Sequence, residues 1–523
     1  MSDFWTHLEN NEISHSTIKK TTLLNKIMVD CAGISFTICY AGIKVSINDL
    51  QKLNLFHKLC KFFTISVPQL SYIKKVPNHK IKSSVVIFPR FGMLKYMETN
   101  LSNYKLLNAI KPGESPSTPF TWVGQFTNNQ PIIADVIMKE YFNHDSVTRG
   151  KSGVIINLEA GQGKSYLASG LIQKLKQKTL IICHTISILN QWIELLQKGY
   201  PNNTIKQYSG NLKGYGDIVV GIINSLLLET LRIDDLEVSP RDFFKCFGFI
   251  VFDEIHLYSS QARKQIYNKC QSQYMLGLSA TPDENKDGLD LVNIWNCGEI
   301  LDAAKLPGYT MDDITFKGEI IALKYYGHPD YTETVITEST EIINHSKMIN
   351  NICDDPYRLK VVINAIFELR KCNKNIFVFA DRRSYLERIG DEMEIFGIKT
   401  NQLLSDEDKS KIVSIMGGSS LDTMKHAQEN CNIILTTYQY AGTGLSIGRM
   451  DALILATPRK TKSKQYIGRI FRIGSNFDSV RKVIDIIDYN THMKSQYYIR
   501  KKYYDEKKYP ITQQVIKWQD IKI

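Results

Sequence analysis

The chain has 523 residues, too many for a single hydrophobic core, so two or three domains are expected. No apolar run approaches the roughly 20 residues of a membrane helix, the first residues lack a signal-peptide pattern, and the ten cysteines form no Cys-x-x-Cys pair or zinc spacing. These features exclude membrane-spanning, secreted disulfide-stapled and zinc-finger classes and predict an intracellular protein. The net charge of +12 is concentrated at the ends: residues 1–119 carry 15 Lys and Arg against 7 Asp and Glu, and residues 494–523 carry 8 against 3. A polyanion such as nucleic acid suits that distribution.

In residues 1–110, Ser35–Tyr40 and Ser83–Pro89 read as strands and Ile47–Phe63 as one helix, with no catalytic signature. Residues 111–119, with three prolines and a glycine, have the composition of a linker. An apolar-periodic helix follows from Gln130 to Phe142. Then Val154 to Ser165 reads Val-Ile-Ile-Asn-Leu-Glu-Ala-Gly-Gln-Gly-Lys-Ser, and Tyr166 to Lys176 reads as a helix. This strand, glycine turn and helix have the order of a phosphate-cradling P-loop. Gly161 and Gly163 let the backbone wrap a triphosphate, Gln162 lies between them, Lys164 brings a charge to the β and γ oxygens, and Ser165 offers a hydroxyl to Mg²⁺. Leu158 stands where the strict pattern has glycine.

The run Gly248-Phe-Ile-Val-Phe-Asp-Glu-Ile-His256 reads as a buried strand that delivers two carboxylates at its C-terminal end. Asp253 would hold Mg²⁺ and Glu254 would polarise the attacking water. Further strands at Thr179–His184, Asp217–Leu226 and Tyr274–Pro282 alternate with helices and predict a parallel doubly wound sheet. A second alternation begins after residue 350, with strands near 375–380, 432–437, 452–456 and 483–487 and no P-loop. There Gln465-Tyr-Ile-Gly-Arg-Ile-Phe-Arg472 would put Arg469 and Arg472 on one helix face, as paired arginines reaching across a cleft to the γ-phosphate.

The P-loop, Asp253-Glu-Ile-His256, Ser279-Ala-Thr281 and Gln465-x-x-Gly-Arg-x-x-Arg472, in this order and spacing, resemble superfamily 2 helicases of the DExH type over roughly residues 120–490. Gly277–Leu289, Thr437–Leu445 and the region from Asp485 to Tyr509 look most like the transcript-release helicases of poxviruses and related helicases of large nucleocytoplasmic DNA viruses, kin to the XPB-like translocases. The resemblance implies an α/β fold of two RecA-like parallel-sheet lobes in tandem behind an N-terminal α+β accessory domain. The implied boundaries are 1–119 for the accessory domain and linker, 120–345 for lobe 1, and 346–523 for lobe 2 with its basic tail.

It also implies roles. Gln130 would recognise adenine, and Gly444 would sit beside the nucleotide. His256, Ser279 and Thr281 would couple the nucleotide site to lobe 2 through Gln465. Thr185, Gln191, Trp192, Ser225, Arg382, Thr436 and Thr437 would touch a nucleic-acid backbone. Ser446 departs from the acidic residue many relatives carry after Gly-Leu. The implied enzyme is an ATP- and Mg²⁺-dependent helicase or translocase, a monomer tracking on DNA in viral transcription, with RNA polymerase or transcription factors as partners. It would act in the host cytoplasm, in virus factories or the virion. An RNA helicase is the alternative within the class, and an ATP-switched nucleic-acid sensor or scaffold is the alternative outside it.

Overall fold

The structure is a computed structural model that describes residues 28–522, apart from 69–72, 160, 283–287, 311–316, 338–341, 400–405, 443–446, 460–462 and 472–478. The central strands of its two largest sheets are β-branched runs buried on both faces, the signature of parallel strands covered by helices.

The first large sheet has eight strands. Across it lie Leu212–Lys213, Ile205–Ser209, Ile218–Ile222, Thr179–Cys183, Phe249–Asp253, Tyr274–Ser279, Gly153–Asn157 and Glu299–Asp302. All pairings are parallel except that of the short edge strand Leu212–Lys213. The P-loop strand and the Asp253 strand therefore flank Tyr274–Ser279, and their C-terminal ends open on the same edge.

The second large sheet is parallel throughout, in the order Ile412–Ile415, Ile433–Thr437, Ile376–Ala380, Ala452–Leu455, Arg481–Asp488, Gly318–Tyr326 and Ile511–Lys517. Gly318–Tyr326 was expected in lobe 1, ahead of the boundary at 345. It pairs instead with Arg481–Asp488 and Ile511–Lys517, two strands that follow it by more than a hundred residues. Two fully buried ion pairs clamp the Arg481–Asp488 strand to its helices. Arg358 Nε donates to Asp488 at 2.6 Å and Arg500 Nη2 to Asp485 at 2.6 Å.

Residues 29–108 form a smaller, mixed sheet in the order Lys80–Lys82, Val85–Phe88, Gly42–Ser46, Ser35–Cys39 and Lys105–Asn108. Its three central strands alternate buried and less buried residues, so one face of them is covered, while the edge strands Lys80–Lys82 and Lys105–Asn108 are mostly exposed. The helix expected over Ile47–Phe63 is two, Ile47–Lys52 and Phe56–Phe62. Asn54 takes a φ of 55° between them, a left-handed turn that asparagine tolerates and a helix interior does not.

This sheet packs directly on the first lobe. A single apolar cluster runs from Cys31 through Trp295 to Cys297, with Phe62 and Phe63 against the Trp295 ring. Buried Arg90 donates to the carbonyls of Gly150 and Ser272, and Lys264 Nζ to that of Pro77 at 2.6 Å. Residues 111–119 are no free tether. Gly113 lies so close to Gly248 that a Cβ would meet its amide nitrogen, Glu114 N donates to Cys246 O at 2.8 Å, and Ser117 N donates to Asp217 at 2.6 Å.

Candidate nucleotide and nucleic-acid site

The P-loop turns on two glycines. Gly161 and Gly163 have φ of 88° and 71°, values that strain any side chain, and Gly163 caps the Lys164–Leu175 helix. A Cβ at Gly163 would also strike the Gln130 side chain. Gln130 is buried against the loop, its Nε2 donating to Gly163 O at 3.3 Å while its Oε1 accepts from Thr127 N at 3.1 Å. Lys164 Nζ points into the loop, toward the carbonyls of Leu158 at 3.1 Å and Glu159 at 3.4 Å. Leu158 is 3% exposed and belongs to the lobe 1 core, so the departure from glycine there serves packing.

At the end of its strand Asp253 is 7% exposed. Its Oδ2 accepts from Trp192 Nε1 at 2.9 Å and its Oδ1 from Glu254 N at 3.1 Å. Burial, followed by the charge of Glu254, pushes the Asp253 carboxyl up to about 6. Glu254 sits at φ 49°, a strained left-handed position for a side-chain residue, which swings its carboxylate out of the strand line. Burial acts to raise its pKa, but the combined charges of Lys164, His256, Arg469 and His184 outweigh that and hold it below the usual carboxylate range. His256 Nδ1 lies 3.0 Å from Ser279 Oγ and 3.4 Å from Glu254 Oε2, and Ser279 Oγ accepts from Thr281 N at 3.1 Å. A continuous chain thus runs from Glu254 through His256 to the Ser279-Ala-Thr281 turn.

From lobe 2, Gln465 Nε2 and Arg469 Nη2 both donate to the Gly442 carbonyl, at 3.0 and 3.3 Å. Arg469 was expected on a helix face with Arg472. The helix ends at Ile467, and Arg469 follows Gly468 in a turn, as the helix-weakening glycine favours. Arg472, Gly444 and Ser446 lie outside the described residues.

The expected backbone contacts divide. Thr185, Ser225, Arg382 and Thr437 stand half-exposed at or just beyond the C-terminal ends of four parallel strands, where open α/β sheets gather ligands, and Gln191 is half-exposed on the helix that Thr185 caps. Arg382 is held by Asn350 Oδ1 at 2.7 Å and Ser346 Oγ at 2.9 Å. Trp192 and Thr436 are corrections. Trp192 is 2% exposed and committed to Asp253, while Thr436 is fully buried, because alternation along its strand turns it away from the face of Thr437. Three features had no sequence signal: within lobe 2 the Gly442 carbonyl anchor, and between the lobes a Tyr440–Ser187 hydrogen bond and Lys507 Nζ at 2.9 Å from Glu159 of the P-loop.

Residues 125–284 match the family model described as the type III restriction enzyme res subunit. The African swine fever virus (strain Badajoz 1971 Vero-adapted) protein QP509L, named as an ATP-dependent RNA helicase, is 33% identical over 511 residues, covering 91% of this chain and 92% of its own. The chain belongs to the viral superfamily 2 helicases. As such it is an ATP-hydrolysing enzyme. The helicase is also 24% identical over 337 residues to the transcript termination protein A18 of Yaba monkey tumor virus, covering 61% of this chain and 64% of that one. A fragment of an HsdR subunit of a type I restriction enzyme from Vibrio vulnificus YJ016 shares the fold, with a TM-score of 0.51 at 16% identity over 77% of this chain and 71% of that one. No helix of the described residues is long and apolar enough to cross a membrane.

Proposed function

We propose that this helicase is a DNA-tracking motor that acts in viral transcription, with residues 1–119 as an accessory domain on lobe 1. The observation that carries the motor reading is the reach of Arg469, anchored in lobe 2, into the electrostatic surroundings of Glu254 in lobe 1. A γ-phosphate between them would be touched from both lobes, so binding favours one lobe arrangement and hydrolysis releases it. Thr185, Gln191, Ser225, Arg382 and Thr437 would hold the phosphate backbone without reading sequence.

The donor set fits Mg²⁺. Ser165 and Asp253 supply a hydroxyl and a carboxylate, hard oxygen ligands of the few that Mg²⁺ takes from protein when it also binds substrate phosphates. A cation would also favour the ionised form of Asp253 that burial opposes. When bound, it would neutralise charge developing on the phosphates. Lys164 would contact the β and γ oxygens, Glu254 would orient water, Arg469 would meet transition-state charge, and Gln130 would face adenine after exchanging its contacts to Thr127 and Gly163. RNA polymerase or transcription factors as partners, a monomeric state, and action in virus factories and the virion belong to the same reading.

An RNA substrate is the second reading, favoured by the RNA-helicase name of the African swine fever virus relative. Strand displacement with DNA, RNA and hybrid duplexes of one sequence decides between them. Unwinding that requires RNA in the tracked strand would overturn the DNA assignment. No unwinding of any duplex, with ATP still modulating affinity, would favour a sensor or scaffold.

A further inference from the structure

The uncovered face of the N-terminal sheet has a regular composition that its strand register makes explicit. Across the sheet Lys80 pairs with Ile87, Ile87 with Lys44, Lys44 with Thr37 and Thr37 with Leu107. One step along, Lys82 pairs with Val85 and Val85 with Ser46, while Ser35 pairs with Lys105 at the far edge. Lys44, Lys80, Lys82 and Lys105 are all exposed, whereas the opposite face carries Phe36, Ile38, Ile43, Val45, Val86 and Phe88 in the core. Among the described residues this outer face has no Asp, no Glu and no aromatic ring.

We propose that this lysine-bearing face binds the phosphate backbone of a nucleic-acid duplex. Strands lie about 4.8 Å apart and alternate residues about 7 Å apart, so the four lysines span a patch of roughly 19 by 7 Å. That is about half of one duplex turn of roughly 34 Å. Uniform positive charge without an acidic neighbour suits a phosphate row. Single-strand grooves, by contrast, hold bases by stacking on aromatic side chains, and here the residues between the lysines are Ser, Thr, Val, Ile and Leu. The face is also fixed relative to the motor. Arg90, Lys264 and the Trp295 packing join the N-terminal domain to lobe 1 as one core, so a duplex held here keeps a set position relative to lobe 1. The proposal rests on the nucleic-acid motor reading above.

The test is the salt dependence of binding by the full chain, wild type and with Lys44, Lys80, Lys82 and Lys105 all changed to Gln, on a blunt duplex and on a single strand of the same length. Each lost phosphate contact lowers the slope of log Kobs against log salt by about 0.9 on duplex DNA, so a fall of about 2 to 4 is expected there, with a change below about 1 on the single strand. The same four positions changed to Arg retain the wild-type slope, and thermal melting of each variant controls for folding. An unchanged duplex slope overturns the proposal and leaves the face to solubility or a protein partner. An equal or larger fall on the single strand overturns the duplex assignment. Nucleic-acid stimulation of ATP hydrolysis by the wild type tests the motor separately: a steep duplex slope without stimulation would refute the motor and leave the face standing.

Discussion

The indole Nε1 of Trp192 lies 2.9 Å from Oδ2 of Asp253, so a buried side chain of one helix fixes the carboxylate at the end of a strand one position across the sheet. Loss of a group that orients a metal ligand typically costs about 10- to 100-fold in metal affinity or activity, and Asp253 is the proposed ligand here. Trp192→Phe keeps an aromatic ring in the site, though a smaller one, and loses the bond. It is expected to raise the Mg²⁺ concentration needed for half-maximal ATP hydrolysis by about 10-fold or more. An unchanged Mg²⁺ titration would reduce Trp192 to packing.

Lys164→Ala is expected to lower ATP hydrolysis by at least about 100-fold with an unaltered melting transition, because Nζ donates to the loop carbonyls of Leu158 and Glu159 and its charge would serve a bound phosphate. Glu254→Gln is expected to bind ATP and fail to turn it over, by a similar factor of about 100 or more. Filter binding of nucleotide beside steady-state rates separates the two. Loss of binding in the glutamine variant would remove Glu254 from catalysis.

Arg469→Ala is expected to slow single-turnover hydrolysis at saturating ATP by about 1,000-fold, the scale of a finger arginine, with a much smaller effect on nucleotide affinity. Wild-type rates would return Arg469 to its structural contact with Gly442.

Arg90→Ala leaves the Gly150 and Ser272 carbonyls without a charged donor inside a shared core. Bonds to charged groups contribute about 1.5 to 3 kcal/mol each, so the loss of two is expected to cost about 3 to 6 kcal/mol, read as a lower urea midpoint. For the same reason, a fragment lacking residues 1–119 is expected to aggregate, since it bares Trp295, on which Phe62 and Phe63 pack. A soluble, cooperatively folded 120–523 fragment would show that the lobe closes its core alone.

Lys264 gives a pH dependence. Burial, followed by repulsion from Lys74, lowers its pKa from 10.5 to about 8. A lysine with a depressed folded-state pKa opposes folding while it must be charged, and that opposition fades as pH rises from about 8 to 10.5. Relative to Lys264→Met, the wild type should therefore gain stability over that window. Parallel melting curves from pH 7 to 11 check the sign, and a constant difference would mean that Lys264 titrates normally.

The nucleotide chemistry and the type of fold were legible along the chain, because both depend on local pattern. Gly161 and Gly163 are needed where φ is positive, Lys164 and Ser165 follow them at the helix start, and Asp253 and Glu254 end a run too apolar to lie anywhere but inside a parallel sheet. Features that depend on packing between distant segments emerged from the three-dimensional fold. Gly318–Tyr326 joined the second sheet because Arg481–Asp488 and Ile511–Lys517 offered it edges on both sides. Trp192 turned from an expected backbone contact into the support of Asp253, and Gly442 became the shared anchor of Gln465 and Arg469. Residues 29–108, which had looked detached behind a proline-rich linker, merged with lobe 1 because Trp295, on which Phe62 and Phe63 pack, lies more than 200 residues further along the chain. Period and spacing carry no record of such partners, since the free energy of burying them depends on three-dimensional neighbours and not on chain order.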